Sequence, residues 1–218
     1  MFLCYTNEVI KNQRRFAMNN PIVWTFAGIF IACILISLAF YLYRSSFFRK
    51  GEYGKHFVSK ALKRYASPRG MTVLSDVSIS NGNENAHFDH VLIGYFGVLF
   101  VQSIQGAGSF WGDGKQDTWA FSDEKSKTKL LFKNPFDEMN AKLSIFRSVL
   151  AQNKQYKVPV DSAVVIVTLG DSPRMYLSNI KDSDTIMLDS QLSAFLRDER
   201  FEKDNGVDVE AVAKLFYK

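Results

Sequence analysis

Residues 87–104 read HFDHVLIGYFGVLFVQSI, and this stretch decides the fold. Two apolar runs, His87–Gly94 and Gly97–Ile104, are separated only by Tyr95-Phe96. That spacing predicts two strands joined by a tight connection. Asp89 and His90 interrupt the first run. A carboxylate in a mostly apolar strand is costly unless it is paired or reaches water, so Asp89 is a candidate functional residue. Alternation places His90 on the opposite face, where it reads as a packing or orienting histidine.

Working outward, Met71–Ile79 alternates and predicts a strand, followed by the polar turn Ser80–Asn85. Before it, Phe57, Val58, Ala61, Leu62 and Tyr65 recur at helical spacing. Gly51 to about Ala66 therefore predicts an amphipathic helix, ended by Pro68-Arg69-Gly70. Beyond the two strands, Gly106–Phe121 predicts an irregular hairpin packed by Trp111 and Trp119. Residues 122–133 predict a charged loop. Pro135 sits where a first-turn proline belongs and opens a helix to about Gln152. Val160–Thr168, VDSAVVIVT, predicts a strand buried on both faces. Thr185–Leu188 predicts a short strand, and Gln191–Leu196 and Val207–Phe216 predict closing helices. The order is helix, three strands, helix, strand, tail: an α/β sandwich on one central sheet.

Composition sets the outer bounds. A chain of 218 residues holds one domain with an appendage, and it can bury a core without disulfides or metals. Nineteen Phe and nine Tyr exclude intrinsic disorder. The mean hydropathy of −0.08 averages two unlike regions. Residues 22–43, IVWTFAGIFIACILISLAFYLY, carry no charge. As a helix they span roughly 33 Å, enough for a hydrocarbon core of about 30 Å. Trp24 lies near one end, and Tyr41 and Tyr43 near the other, as interfacial rings do. A transmembrane helix is predicted over 22–43, after a short tail 1–21 and before a basic linker 44–50. The domain itself is predicted over 51–218. Met18 is the expected natural start, because residues 1–17 form no clear element.

The flanks predict orientation. Lys11, Arg14 and Arg15 precede the span, and Arg44, Arg49, Lys50, Lys55, Lys60 and Lys63 follow it. The positive-inside bias puts the C-terminal domain in the cytoplasm, on a single-pass protein of the cell membrane. Cys4 and Cys33 are the only cysteines, so residues 44–218 hold no disulfide, as fits a reducing compartment. Residues 44–69 carry eight Lys/Arg against Glu52 alone, a contribution of +7, while the whole chain carries +5. That basic run lies beside the predicted span and suits lipid headgroups.

Four motifs in order carry a resemblance: Gly51-Glu52, then Phe88-Asp89-His90-Val91, then Gly97–Ile104, then Asn134-Pro135-Phe136-Asp137-Glu138. Over roughly residues 49–168 the chain resembles the nuclease-related domain (NERD) family. The resemblance implies a restriction-endonuclease-like fold: a central mixed sheet flanked by helices, here preceded by the transmembrane helix. It also implies acidic residues gathered at the sheet around Mg²⁺ or Mn²⁺. Phosphodiester hydrolysis needs a hard cation held by oxygen ligands and an activated water. The family's G-V-x-V-x-E-x-K strand places a carboxylate and a lysine two residues apart, hence on one face.

Here Gln102 stands at the glutamate position and Ile104 at the lysine position, and Glu138 replaces the glutamine of the family's helix motif. Glu52 and Asp89 remain as the carboxylates of the implied metal site. Glu52 also has a plain structural role available, at the N-terminal dipole of its helix. General acid–base groups contribute about 10²–10⁴-fold each, so these losses predict little hydrolysis. The first expectation is therefore a membrane-anchored protein of nuclease fold that binds DNA or a protein partner. The second is an active metal-dependent nuclease in which Lys115 or a loop lysine from 125–133 substitutes for the missing one. The third is a non-enzymatic subunit of a membrane complex, using its acidic C-terminal region as an interface. His56 reads as a helix-surface residue. No Cys/His spacing suits zinc, Ser103 has no triad partners, and no glycine pattern suits a phosphate loop.

Overall fold

The computed structural model describes residues 21–49, 51–123, 129–169 and 173–217. The tail 1–20, with Met18, Lys11, Arg14 and Arg15, and the loop lysines 125 and 127 lie outside the described residues. Two compact units are present, residues 1–50 and 51–218.

The first unit contains helix α1, Pro21–Arg49, 29 residues long. Its described side chains, at 24–26, 28–39 and 42, are all exposed. Among the described residues, no helix is long and apolar enough to cross a membrane. The predicted span thus gains no support from this part of the structure.

The second unit begins with α2, Glu52–Ala66, whose buried face is Gly54, Val58, Leu62 and Ala66. Strands β1 (Thr72–Ser80), β2 (Asn85–Gly94) and β3 (Gly97–Gly106) follow. Then come β4 (Gly108–Asp113), β5 (Thr118–Asp123), β6 (Lys129–Lys133) and α3 (Pro135–Gln152). The chain closes with β7 (Val160–Thr168), β8 (Arg174–Ser178), β9 (Thr185–Leu188), α4 (Asp189–Phe195) and α5 (Val209–Lys214).

These strands form two sheets, in the orders β1-β2-β3-β7-β9 and β6-β5-β4-β8. The first is mixed: β1, β2 and β3 run antiparallel, and β3-β7-β9 run parallel. Helices cover it on both sides. On one, α2 and α4 bury Val58, Leu62 and Leu192 against Leu92, Leu99, Val101 and Val165. On the other, α3 and α5 bury Phe146, Met139 and Val212 against Phe88, Phe100 and Val91. This double cover is why β3 and β7 read as continuous apolar runs.

The expectation of one central sheet is corrected. The hairpin predicted over Gly106–Phe121 is two regular strands of a second sheet. The supposed loop at 122–133 contributes β6, and β8 was not foreseen. Trp119 explains the second sheet: it is 1% exposed and packs edge-on to Phe136 of α3 and Phe132 of β6. Trp111 does not pack the hairpin interior. It faces outward, 40% exposed.

Candidate functional site

The site begins with a fault in the first ladder. The β1–β2 register pairs Ser75 with His90 and then Val77 with Phe88, leaving Asp76 and Asp89 unpaired between them. Asp76 has φ +57°, a left-handed conformation that aspartate tolerates better than most residues. The fault also shifts the faces. Leu74–Val91 and Val77–Phe88 lie three residues apart on each strand, yet both pairs enter the same core. Regular alternation would separate them.

The carboxylate freed by this fault turns to α2 and β3. Asp89 Oδ1 lies 2.8 Å from Lys55 Nζ. Asp89 Oδ2 accepts hydrogen bonds from the Ser103 backbone N–H at 3.1 Å and from Ser103 Oγ at 3.3 Å. Burial alone would raise the Asp89 pKa. The Lys55 ammonium and the Ser103 N–H outweigh it and hold the carboxyl below its usual range. The same hydrogen bond raises the pKa of Lys55 against the opposing effect of its partial burial.

Lys55 reaches this position because α2 docks closely on β3. Gly54 is buried, and a Cβ there would stand 3.2 Å from Gln105 Cβ and 3.4 Å from Val167 Cβ. Its N–H, a first-turn donor with no intrahelical acceptor, donates to Gln105 Oε1 at 2.8 Å. The Gly-Glu-x-Gly-Lys run thus presents Lys55 to the sheet.

His90 departs from expectation. Its Nδ1 lies 3.2 Å from Ser75 Oγ, which lies 3.0 Å from Ser59 Oγ on α2. His90 and Asp89 therefore both engage the α2 side, since the fault at Asp76 breaks the alternation that would part them. His90 is an orienting and packing residue, as its type suggests, but not on the opposite face.

The remaining candidates are dispersed. Glu52 sits exposed in the first turn of α2, with no hydrogen bond or ion pair among the described residues. Gln102 is half-buried, and its Oε1 has no hydrogen-bond partner among the described residues. Ile104 packs with Trp119, Phe136 and Val164, on the face away from α2. Ser103 and Gln105, between and beyond them, face α2. No hydrogen bond joins Gln102 to Asp89. At the start of α3, Asn134 is a helix cap: its Oδ1 accepts from Phe136 N–H at 3.0 Å, and its Nδ2 donates to Gln116 O at 3.0 Å. Pro135 is buried in the first turn, and Glu138 pairs with Lys142 at 2.6 Å. His56 is on the exposed surface of α2, as expected.

Among the described residues, none of the substitute cations expected from sequence, Lys115, Lys129 or Lys133, pairs with Asp89; Lys125 and Lys127 lie outside them. Lys115 donates its backbone N–H to Asp113 in a turn. The cation beside Asp89 is Lys55. One signal was available: it lies one helical turn after Glu52, on the same face. The helix also had to be docked, and the sequence does not show how.

The donor set does not fit a hard divalent cation. Such an ion takes about six oxygen ligands, several of which can be water, but it needs at least one carboxylate oxygen free to face it. Both Asp89 oxygens already accept protein donors, and Glu52 is exposed in the first turn of α2. Among the described residues, no group of three or more His, Cys, Asp or Glu is placed to hold a metal.

No curated protein and no solved structure matches the chain. A family model, the nuclease-related domain, matches residues 50–167. That match spans more than half of the 218 residues and contains Glu52, Lys55, Asp89, Gln102 and the α3 cap. The chain therefore belongs to the nuclease-related domain (NERD) family.

Proposed function

We propose that this protein is held at the cytoplasmic face of the cell membrane by residues 22–43, and that its nuclease-related domain binds nucleic acid or a protein partner without cutting. The observation that carries the non-cutting reading is the state of Asp89. Its carboxylate is neutralised by Lys55 at 2.8 Å and saturated by Ser103. A metal ion would have to displace an ammonium from a mostly buried partner, where ion pairs are costly to break. The glutamate and lysine positions hold Gln102 and Ile104, which restore neither the charge nor the proton. The restriction-endonuclease-like fold is part of the same reading. It is consistent with the mixed sheet covered by helices on both sides. The anchor reading rests on the sequence alone, on the uncharged 22-residue stretch from Ile22 to Tyr43.

The test is plasmid DNA incubated with the full chain in detergent and Mg²⁺ or Mn²⁺. No metal-dependent cleavage is expected. Cleavage that disappears in Asp89→Ala would overturn the proposal.

One observation favours a second reading. Lys55 supplies, from α2, the kind of cation that position 104 lacks. If the family's lysine has been replaced in this way, the same assay shows cleavage with Mg²⁺ or Mn²⁺. Lys55→Ala then abolishes it, and Ile104→Ala leaves it intact.

A further inference from the structure

The second sheet presents an outer face that the Asp89 site does not use. Directly paired residues share a face, so the register lays out its rows. One row runs Tyr176–Trp111–Ala120–Leu131 across all four strands. The next row runs Arg174–Ser109–Ser122–Lys129; within these two rows Ser109 and Ala120 are buried, so the accessible surface is the side chains around them. On the other side lie Ser178–Asp113 and Thr118–Lys133. With strands about 4.8 Å apart, the aromatic row is about 14 Å long.

Trp111 and Tyr176 are stacked, with ring centroids 5.6 Å apart and planes 12° from parallel. They remain 40% and 51% exposed, and Leu131 is 71% exposed. The opposite face of the same strands is sealed by Trp119 and Phe110. The outer aromatics are thus not needed to close a core. Charge on this face is one-sided. Arg174, Lys129 and Lys133 are exposed and have no carboxylate partner among the described residues. The only acid in these rows is Asp113. Its carboxylate accepts from Ser178 Oγ at 2.9 Å, Asn179 Nδ2 at 2.8 Å and Lys115 N–H at 2.8 Å.

We propose that this face binds single-stranded nucleic acid, with bases stacking on Trp111 and Tyr176 and the backbone phosphates meeting Arg174, Lys129 and Lys133. Aromatic rings on an open sheet, flanked by cations, are what a single strand needs: every base has a π-face, and every linkage a negative charge. A duplex hides its base faces and has no use for the rings. A purely apolar partner would leave the three cations unmatched. The proposal rests on the nucleic-acid branch of the function proposed above and narrows it to one strand and one surface.

The experiment measures binding of fluorescein-labelled oligo-dT, and of a duplex of equal length, to the full chain in detergent. EDTA is present throughout, so the result is independent of cleavage. Expected are preference for oligo-dT and a salt-dependent affinity. Trp111→Ala and Tyr176→Ala should each weaken oligo-dT binding about tenfold, and Trp111→Phe should retain it. The exposed pair Lys129→Glu and Lys133→Glu should weaken binding and flatten its salt dependence. Equal or tighter binding of the duplex, with Trp111→Ala unaffected, overturns this surface and leaves the broader function standing. Wild-type binding to neither probe removes this surface together with the nucleic-acid branch and leaves the protein-partner branch. Should the aromatic variants unfold, unchanged oligo-dT affinity in the lysine pair variant overturns the proposal by itself.

Discussion

A neutral imidazole held in the interior makes the domain sensitive to mild acid. His90 is 1% exposed, and its Nε2 has no hydrogen-bond partner among the described residues. Burial opposes the charged ring. Asp89 works against that effect and Lys55 with it, and the pKa is pushed down to about 4 from an ordinary 6.5. The unfolded chain therefore takes up a proton that the folded one refuses as pH falls from 6.5. Stability is full above that value and declines toward pH 4, by on the order of 3 kcal/mol. Asp89 acts lower on the scale. Its folded pKa is depressed, so its contribution is present above the unfolded value of about 4 and is lost only below it. Urea unfolding at pH 7 and pH 4.5 checks this. The wild type should lose most of that stability over the interval, and His90→Gln, which cannot titrate, should lose clearly less. Equal losses would show that another group dominates.

At the scale of elements, two local irregularities set the site. The first is the fault at Asp76 and Asp89, which releases the carboxylate from the ladder and brings His90 to the same side. The second is the β2–β3 connection. Gly94 pairs with Gly97, whose φ is +136°, and a Cβ on Gly97 would stand 2.4 Å from Pro159 O. That carbonyl accepts from Val98 N–H at 2.9 Å, the contact that starts the β3–β7 pairing. Gly97→Ala should destabilise the domain by about 1–3 kcal/mol, through backbone strain and displacement of Pro159. Gly70 also has positive φ, at +64°, but nothing lies within 4 Å of its Cβ position. Gly70→Ala should therefore cost less. The shift of the urea midpoint in the two variants measures the difference, and equal shifts would mean that crowding at Pro159 is unimportant.

For the whole molecule, the anchor and the domain are separable predictions. If residues 22–43 hold the chain in a bilayer, the full chain stays with membranes in alkaline carbonate, while residues 51–218 are released. Extraction of the full chain by carbonate would remove the anchor from the proposal. The sequence by itself determined much of this protein. Hydrophobic period and turn chemistry marked α2, β1, β2, β3, α3 and β7, because those signals are local and strong. Asp89 stood out for the same reason, as a charge in an apolar run. The second sheet was hidden, because its strands are five or six residues long and carry apolar or aromatic side chains on both faces, so no alternation marks them, and only pairing with distant β8 makes them regular. Tertiary structure alone decided which cation meets Asp89. The ammonium of Lys55 arrives through the close docking of Gly54 on Gln105 and the backbone fault at Asp76. Both are contacts between elements far apart in sequence, and no periodicity within one element encodes them.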